Sequence, residues 1–110
     1  MSFKTDLETV VLGSLQGSSL HGYEISKRIA AKSEGLLKIG EGQLYPTLHQ
    51  LEEKGLVTAE WVPQEGKPSR KVYSLTPAGQ AALADKRRGW EQFAQGIGAI
   101  LANPKEALDG

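Results

Sequence analysis

A mainly α fold with one small β-hairpin (α+β) is what the sequence predicts, and three observations predict it. Leu44, Leu48 and Leu51 recur at i, i+4 and i+7, the buried stripe of a helix that stops at Gly55. Two alternating stretches follow, residues 57–62 and 71–75, around the turn-forming run Pro63-Gln64-Glu65-Gly66-Lys67-Pro68-Ser69-Arg70. Near the end, Leu83, Trp90 and Ile97 recur every seven residues, with Phe93 and Ile100 at the second apolar heptad position. A helix followed by a basic hairpin is how a winged helix-turn-helix grips DNA. The helix enters the major groove and the hairpin, or wing, touches phosphate. The expected architecture is therefore a winged helix-turn-helix over residues 1–76, then a long C-terminal dimerisation helix and short tail over 77–110.

Each element has its own local signal. Thr5-Asp6-Leu7-Glu8 has the form of a capping box with Thr5 as N-cap, and Leu7, Val11 and Leu15 follow at helical spacing. Gln16-Gly17-Ser18-Ser19 ends that helix. A second helix is expected over residues 20–31, with Tyr23, Ile25 and Ile29 facing inward, and Ser33-Glu34-Gly35 breaks it. Residues 36–39 read as a brief strand or an extended link. The third helix opens after Gly40. Pro46 is tolerable there if the helix starts near 41–43, because first-turn N–H groups have no intrahelical partner. Gly55 suits the left-handed C′ position. Val57, Ala59 and Trp61 form the inward face of the first strand, which makes Trp61 a core residue. Thr76 is an N-cap with Pro77 at N1, and Asn103-Pro104 stops the last helix.

Composition narrows the function. A chain of 110 residues holds one modest core. It has no cysteine, which fits a cytoplasmic setting and excludes disulfides and thiolate metal sites. Two histidines and no clustered carboxylates argue against a metal site, and no cofactor is expected. No apolar run approaches membrane length, and the first residues are not a signal peptide. There is no nucleophile–base pair, no phosphate-binding glycine loop and no facing pair of acids, so no catalytic residue is assigned. The formal net charge is zero, which counts mildly against DNA binding, yet the wing is locally basic.

Four motifs resemble the PadR family of bacterial transcriptional regulators. They are Leu20-His21-Gly22-Tyr23-Glu24-Ile25, Gly42-Gln43-Leu44-Tyr45-Pro46-Thr47-Leu48, Leu51-Glu52-Glu53-Lys54-Gly55-Leu56-Val57, and Arg70-Lys71-Val72-Tyr73-Ser74-Leu75-Thr76-Pro77-Ala78-Gly79. Any one is weak; four in order are specific, and they span roughly residues 5–80. The chain is similar to the short PadR subgroup, in which one C-terminal helix supplies the dimer contact. The resemblance implies a winged-helix homodimer, usually a repressor on a palindromic operator, often released by a small aromatic or drug-like effector.

On a helical wheel with the leucines inward, Gln43, Pro46, His49, Gln50 and Glu53 point outward, and Tyr45 and Thr47 flank them. Gln suits adenine edges, while Tyr and Thr suit phosphate or a thymine methyl. The candidate DNA contacts are Gln43, Tyr45, Thr47 and Gln50 on the helix and Lys67, Arg70 and Lys71 on the wing. Lys27 and Arg28 are weaker candidates. The competing reading of each is an ordinary solvated face, and for Tyr45 a core-edge residue. His21 and His49 read as capping or packing groups. Trp90, Phe93, Ala94 and Ile97 share one face of the last helix. They either line a ligand slot between two subunits, as the resemblance implies for a tryptophan at this point, or simply fill the interface. The rival function is a winged-helix protein-interaction module without DNA binding.

Overall fold

In the computed structural model, residues 6–104 are described. The elements are α1 (Leu7–Ser14), β1 (Leu20–His21), α2 (Gly22–Lys32), α3 (Glu41–Glu53), β2 (Val57–Gln64), β3 (Lys67–Leu75) and α4 (Pro77–Leu101). The three strands form one antiparallel sheet in the order β1-β3-β2. The core lies between the sheet and α1–α3, around Val11, Leu12, Leu15, Ile25, Leu44, Leu48 and Leu51, each essentially inaccessible to solvent.

The predicted fold class holds, helices with a small antiparallel sheet and a long C-terminal helix, with local corrections. Thr5 lies outside the described residues. The N-cap of α1 is Asp6, whose side chain makes no capping hydrogen bond. Residues 36–39 are an extended link, not a strand, and only Ile39 of them is buried. The third strand is instead Leu20–His21, paired with Tyr73 and Val72. Two residues are too few to carry a period. Pro46 is the sixth residue of α3, past the first turn. Leu44 already donates to the Gly40 carbonyl, so Pro46 removes the bond that Gly42 would have accepted. That carbonyl faces solvent at the exposed start of the helix, which makes its loss tolerable.

The wing strands are longer than predicted. The turn shrinks to Glu65-Gly66, with Gly66 at φ +71° and Gln64 paired to Lys67. Pro63 falls where the register shifts between Val62 and Gln64, a place that needs no ladder N–H. Pro68 sits where β3 has left β1 behind and has no register partner on β2, so it needs no ladder N–H.

The C-terminus of α3 and the N-terminus of α4 are built into one joint. Leu56 N–H donates to Leu51 O (2.9 Å) and Gly55 N–H to Glu52 O (3.0 Å), with Gly55 at φ +74°. These two bonds define a Schellman stop. Thr76 then does three things. Its N–H donates to Leu56 O (3.1 Å), its hydroxyl donates to Gly55 O (2.7 Å), and that hydroxyl accepts from Gly79 N–H (3.0 Å). Gly79 is buried so close to Leu56 that an added Cβ would overlap the Leu56 carbonyl. Beyond Leu83, α4 leaves the core and its apolar residues stand open.

Candidate nucleic-acid interface

The outward face of α3 is as the wheel predicts. Gln43, Pro46, His49, Gln50 and Glu53 are all exposed, and neither glutamine amide makes a hydrogen bond among the described residues. Both are free to meet a partner. Tyr45 is intermediate in role. It is 41% exposed, but its ring lies on Gly22, where any added Cβ would collide with the phenol. That contact gives a physical reason for glycine at the start of α2. It also fixes the tilt of Tyr45.

Thr47 departs from expectation. It is 6% exposed, and its hydroxyl donates to Gln43 O at 2.8 Å, one turn back. A threonine can satisfy its own hydroxyl this way, so it turns inward without cost. It stands apart from the exposed set.

The three wing cations also divide. Lys67 and Arg70 are exposed, and neither takes part in an ion pair among the described residues. Lys71 is half-buried. Its Nζ donates to Glu52 Oε1 at 3.1 Å and lies 5.4 Å from the centre of the Tyr73 ring. The Glu52 hydrogen bond holds the ammonium above the usual lysine range, outweighing a burial effect of opposite sign. Burial in turn raises the Tyr73 phenol, against a smaller lowering by Lys71. The charge of Lys71 is thus answered within the fold. The partner is the half-buried Glu52 at the far end of α3.

The second helix contributes supports. His21 is the N-cap of α2, and its N–H donates to Glu24 Oε1 at 3.1 Å, matching its reading as a capping group. Tyr23 was expected inward but is 67% exposed, stacked on His21 and lying under Lys27 Nζ. Arg28 donates to the Ser14 carbonyl at 3.3 Å and so braces α1.

Trp61 is the largest correction. It is 67% exposed, although it shares a strand face with Val57 and Ala59. The alternation was read correctly, but the strand outruns the core. Trp61 forms one side of a cleft of about 500 Å³ between α3 and the wing, together with His21, Tyr45, His49, Arg70, Lys71 and Tyr73.

On α4, Trp90, Phe93 and Ile97 are 37%, 37% and 38% exposed, and Ile100 and Leu101 about twice that, at 77% and 76%. Trp90 and Phe93 meet edge to face at 5.7 Å, and Ala94 is exposed beside them. Among the described residues, none packs over this stripe to bury it. Among the described residues no three His, Cys, Asp or Glu side chains are grouped to hold a metal ion, and no helix is long and apolar enough to cross a membrane.

The model of the transcriptional regulator PadR-like family matches residues 11–85, from α1 into α4. The chain belongs to the PadR-like family. It is 34% identical over 87 residues to the transcriptional regulator Rv3488 of Mycobacterium tuberculosis, covering 79% of this chain and 78% of that one. Among solved structures, a transcriptional regulator from Clostridium thermocellum superposes with a TM-score of 0.79 at 29% identity, over 88% of this chain and 94% of that one. Bacillus subtilis PadR, solved in complex with operator DNA, superposes with a TM-score of 0.66 at 30% identity. That match covers 72% of this chain and 44% of that one.

Proposed function

We propose that this PadR-like protein is a homodimeric, sequence-specific DNA-binding transcriptional regulator. It acts as a cytoplasmic repressor on a palindromic operator and is released by a small aromatic effector. The observation that carries the reading is the pairing of two free surfaces: the unpartnered amides of Gln43 and Gln50 on α3, and the unpaired cations Lys67 and Arg70 on the adjacent wing. The operator complex of the Bacillus subtilis relative supports it.

The roles follow from chemistry. Gln43 and Gln50 read base edges, and adenine offers glutamine the matching donor and acceptor. Lys67 and Arg70 hold phosphate and set register without reading sequence. Tyr45 reaches the backbone with its free edge. Thr47 and Lys71 act indirectly, by shaping α3 and by fastening the wing to it. Residues 1–76 form the reading unit, and residues 77–110 join two copies.

Two copies of α4 cover each other's stripe of Trp90, Phe93, Ile97, Ile100 and Leu101, which water would otherwise cover in the monomer. The dimer sets the distance between its two α3 helices, and a palindromic site needs them about 34 Å apart, one turn of DNA. A planar ligand between the Trp90 side chains, beside the small Ala94, acts only by preferring one subunit arrangement. The zero net charge favours the second reading, a protein-interaction module of the same shape. Incubating the purified protein with fragmented genomic DNA from its source separates the two. The regulator retains a small set of fragments sharing an inverted repeat and releases them as salt rises. The interaction module retains none at physiological salt.

A further inference from the structure

The cleft between α3 and the wing is not used by either the base-reading amides or the wing tip. One wall is Trp61 on β2 and the other is Tyr45 and His49, one turn apart on α3. Arg70 and Lys71 line it from β3, and His21 closes one end. Lys71 is already paired with Glu52, so Arg70 is the free cation of the group. An indole that is 67% exposed is a poor surface for a soluble monomer. It sits in a concave, cationic setting, which suits a partner that is anionic with an apolar body.

The proposed function dictates what passes there, and the inference rests on that reading. If α3 lies in a major groove and the wing reaches the neighbouring minor groove, one sugar–phosphate strand separates the two grooves. That strand must run between helix and wing, and the cleft is the space between them. Deoxyribose offers an apolar face and the phosphate an anion. We infer that the cleft seats this strand of duplex DNA, with Trp61 packed on deoxyribose and Arg70 on the adjoining phosphate. Trp61 is then a positioning residue: it fixes how deeply α3 enters the groove and carries no sequence information of its own.

The chain has two tryptophans, Trp61 and Trp90, so emission can be assigned by substitution. Wild type is titrated with a retained duplex while the anisotropy of a labelled copy reports binding. Trp61 emission and its access to acrylamide should change along the same curve. Trp61→Phe keeps an aromatic face, so it should bind within a few-fold of wild type and lose the emission change. Trp61→Ala should bind all duplexes more weakly and to the same extent, with an unchanged salt slope because no charge is removed. Covering roughly 60 Å² of ring corresponds to about a tenfold loss per engaged subunit. Trp61 is on the surface, so both variants should keep the wild-type melting temperature. Two results overturn the inference while leaving DNA binding intact: duplex that binds without altering Trp61, or Trp61→Ala with wild-type affinity. Emission that responds to millimolar benzoate but not to duplex assigns the cleft to small aromatic anions and likewise overturns it. If no duplex changes the anisotropy of any sample, the DNA reading fails, and this inference with it.

Discussion

Removing Lys67 and Arg70 should flatten the salt dependence of DNA binding, and removing Lys71 should not. Each neutralised phosphate contributes a slope of about −0.9 in log K against log salt. Two free cations per subunit give four contacts in the proposed dimer. The double variant Lys67→Ala, Arg70→Ala should therefore have a slope shallower by roughly 3 to 4. Between 50 and 200 mM salt, wild-type affinity should fall about a hundredfold more than that of the variant. The loss should be equal for operator and random duplex, because phosphate carries no sequence.

Lys71 is the discriminating control. From sequence it counts as a third wing cation. In the fold its ammonium is 3.1 Å from Glu52 and half-buried, so little of its charge is left to displace counterions. Lys71→Ala should leave the slope within about 0.5 of wild type, since far less than one phosphate equivalent per subunit is removed. Its cost should appear in stability instead, on the order of 1 kcal/mol or less for a pair that water still reaches. Fluorescence anisotropy at four salt concentrations measures all three proteins. A Lys71→Ala slope shallower than wild type by about 1.8, the change for one free cation per subunit, would mean the ion pair opens on DNA, and would refute the division of the wing cations drawn from burial.

Four further outcomes follow. Gly79→Ala should cost about 2–4 kcal/mol by urea denaturation, because the new methyl overlaps the Leu56 carbonyl and disturbs the Thr76 cap; Gly13→Ala, which meets nothing within 4 Å, should be neutral or gain up to about 1 kcal/mol, and equal effects at both sites would refute the close approach. Ile97→Asp should weaken the dimer at least about a hundredfold by burying a charge, and light scattering showing wild type as a monomer at micromolar concentration would remove the basis for it. Trp90→Ala should still dimerise and bind DNA but lose the binding of planar aromatic ligands that equilibrium dialysis detects with wild type; undiminished binding would place the ligand elsewhere. The raised Lys71 value means that its pair stabilises the fold fully below the ordinary lysine value of 10.5 and is lost as pH climbs above it. The stability difference between wild type and Lys71→Met should thus be flat from about pH 6 to 9 and shrink above 10.5; a change centred near neutrality would identify a different titrating group.

What the sequence revealed best was periodic and local. Leu44, Leu48 and Leu51 are buried as their spacing requires, and Gly55, Thr76 and Pro77 punctuate the chain where cap chemistry says they should. The failures share one cause: burial is decided by where a neighbouring element ends. Trp61 has the correct strand phase, but α3 and the core stop short of it. Tyr23 lies on the flank of a helix whose inward stripe is narrower than its apolar residues suggest. Lys71 looked like its neighbour Arg70, yet alternation sends one toward Glu52 and leaves the other free. Nothing in a linear pattern places Glu52 opposite residue 71. β1 leaves no mark in a linear pattern because its two residues pair only with β3, more than fifty positions away in sequence.

The joint at Thr76 explains how a long helix could govern DNA reading. The turn that ends α3 and the start of α4 meet at Gly55, Leu56, Thr76 and Gly79, through two hydrogen bonds across the joint, the Thr76–Gly79 cap bond and one contact too tight for a methyl group. Such a joint has little slack, and in the proposed dimer it would pass a tilt of α4 on to the end of α3. A helix of 25 residues is about 37 Å long, so a rotation of about 10° at its base moves its far end by roughly 6 Å. Read in the other direction, in the proposed dimer a ligand that spread the two α4 helices by a few ångströms near Trp90 would rotate each reading helix by several degrees. Rotations in opposite senses across the dimer axis change the separation of the two α3 helices, which the fixed pitch of DNA does not accommodate. In the proposed dimer, the coupling between effector and operator therefore needs no flexible hinge. It needs the stiffness of the Thr76 joint, and a substitution that loosens this joint should weaken the response to ligand before it weakens the binding of either ligand or DNA.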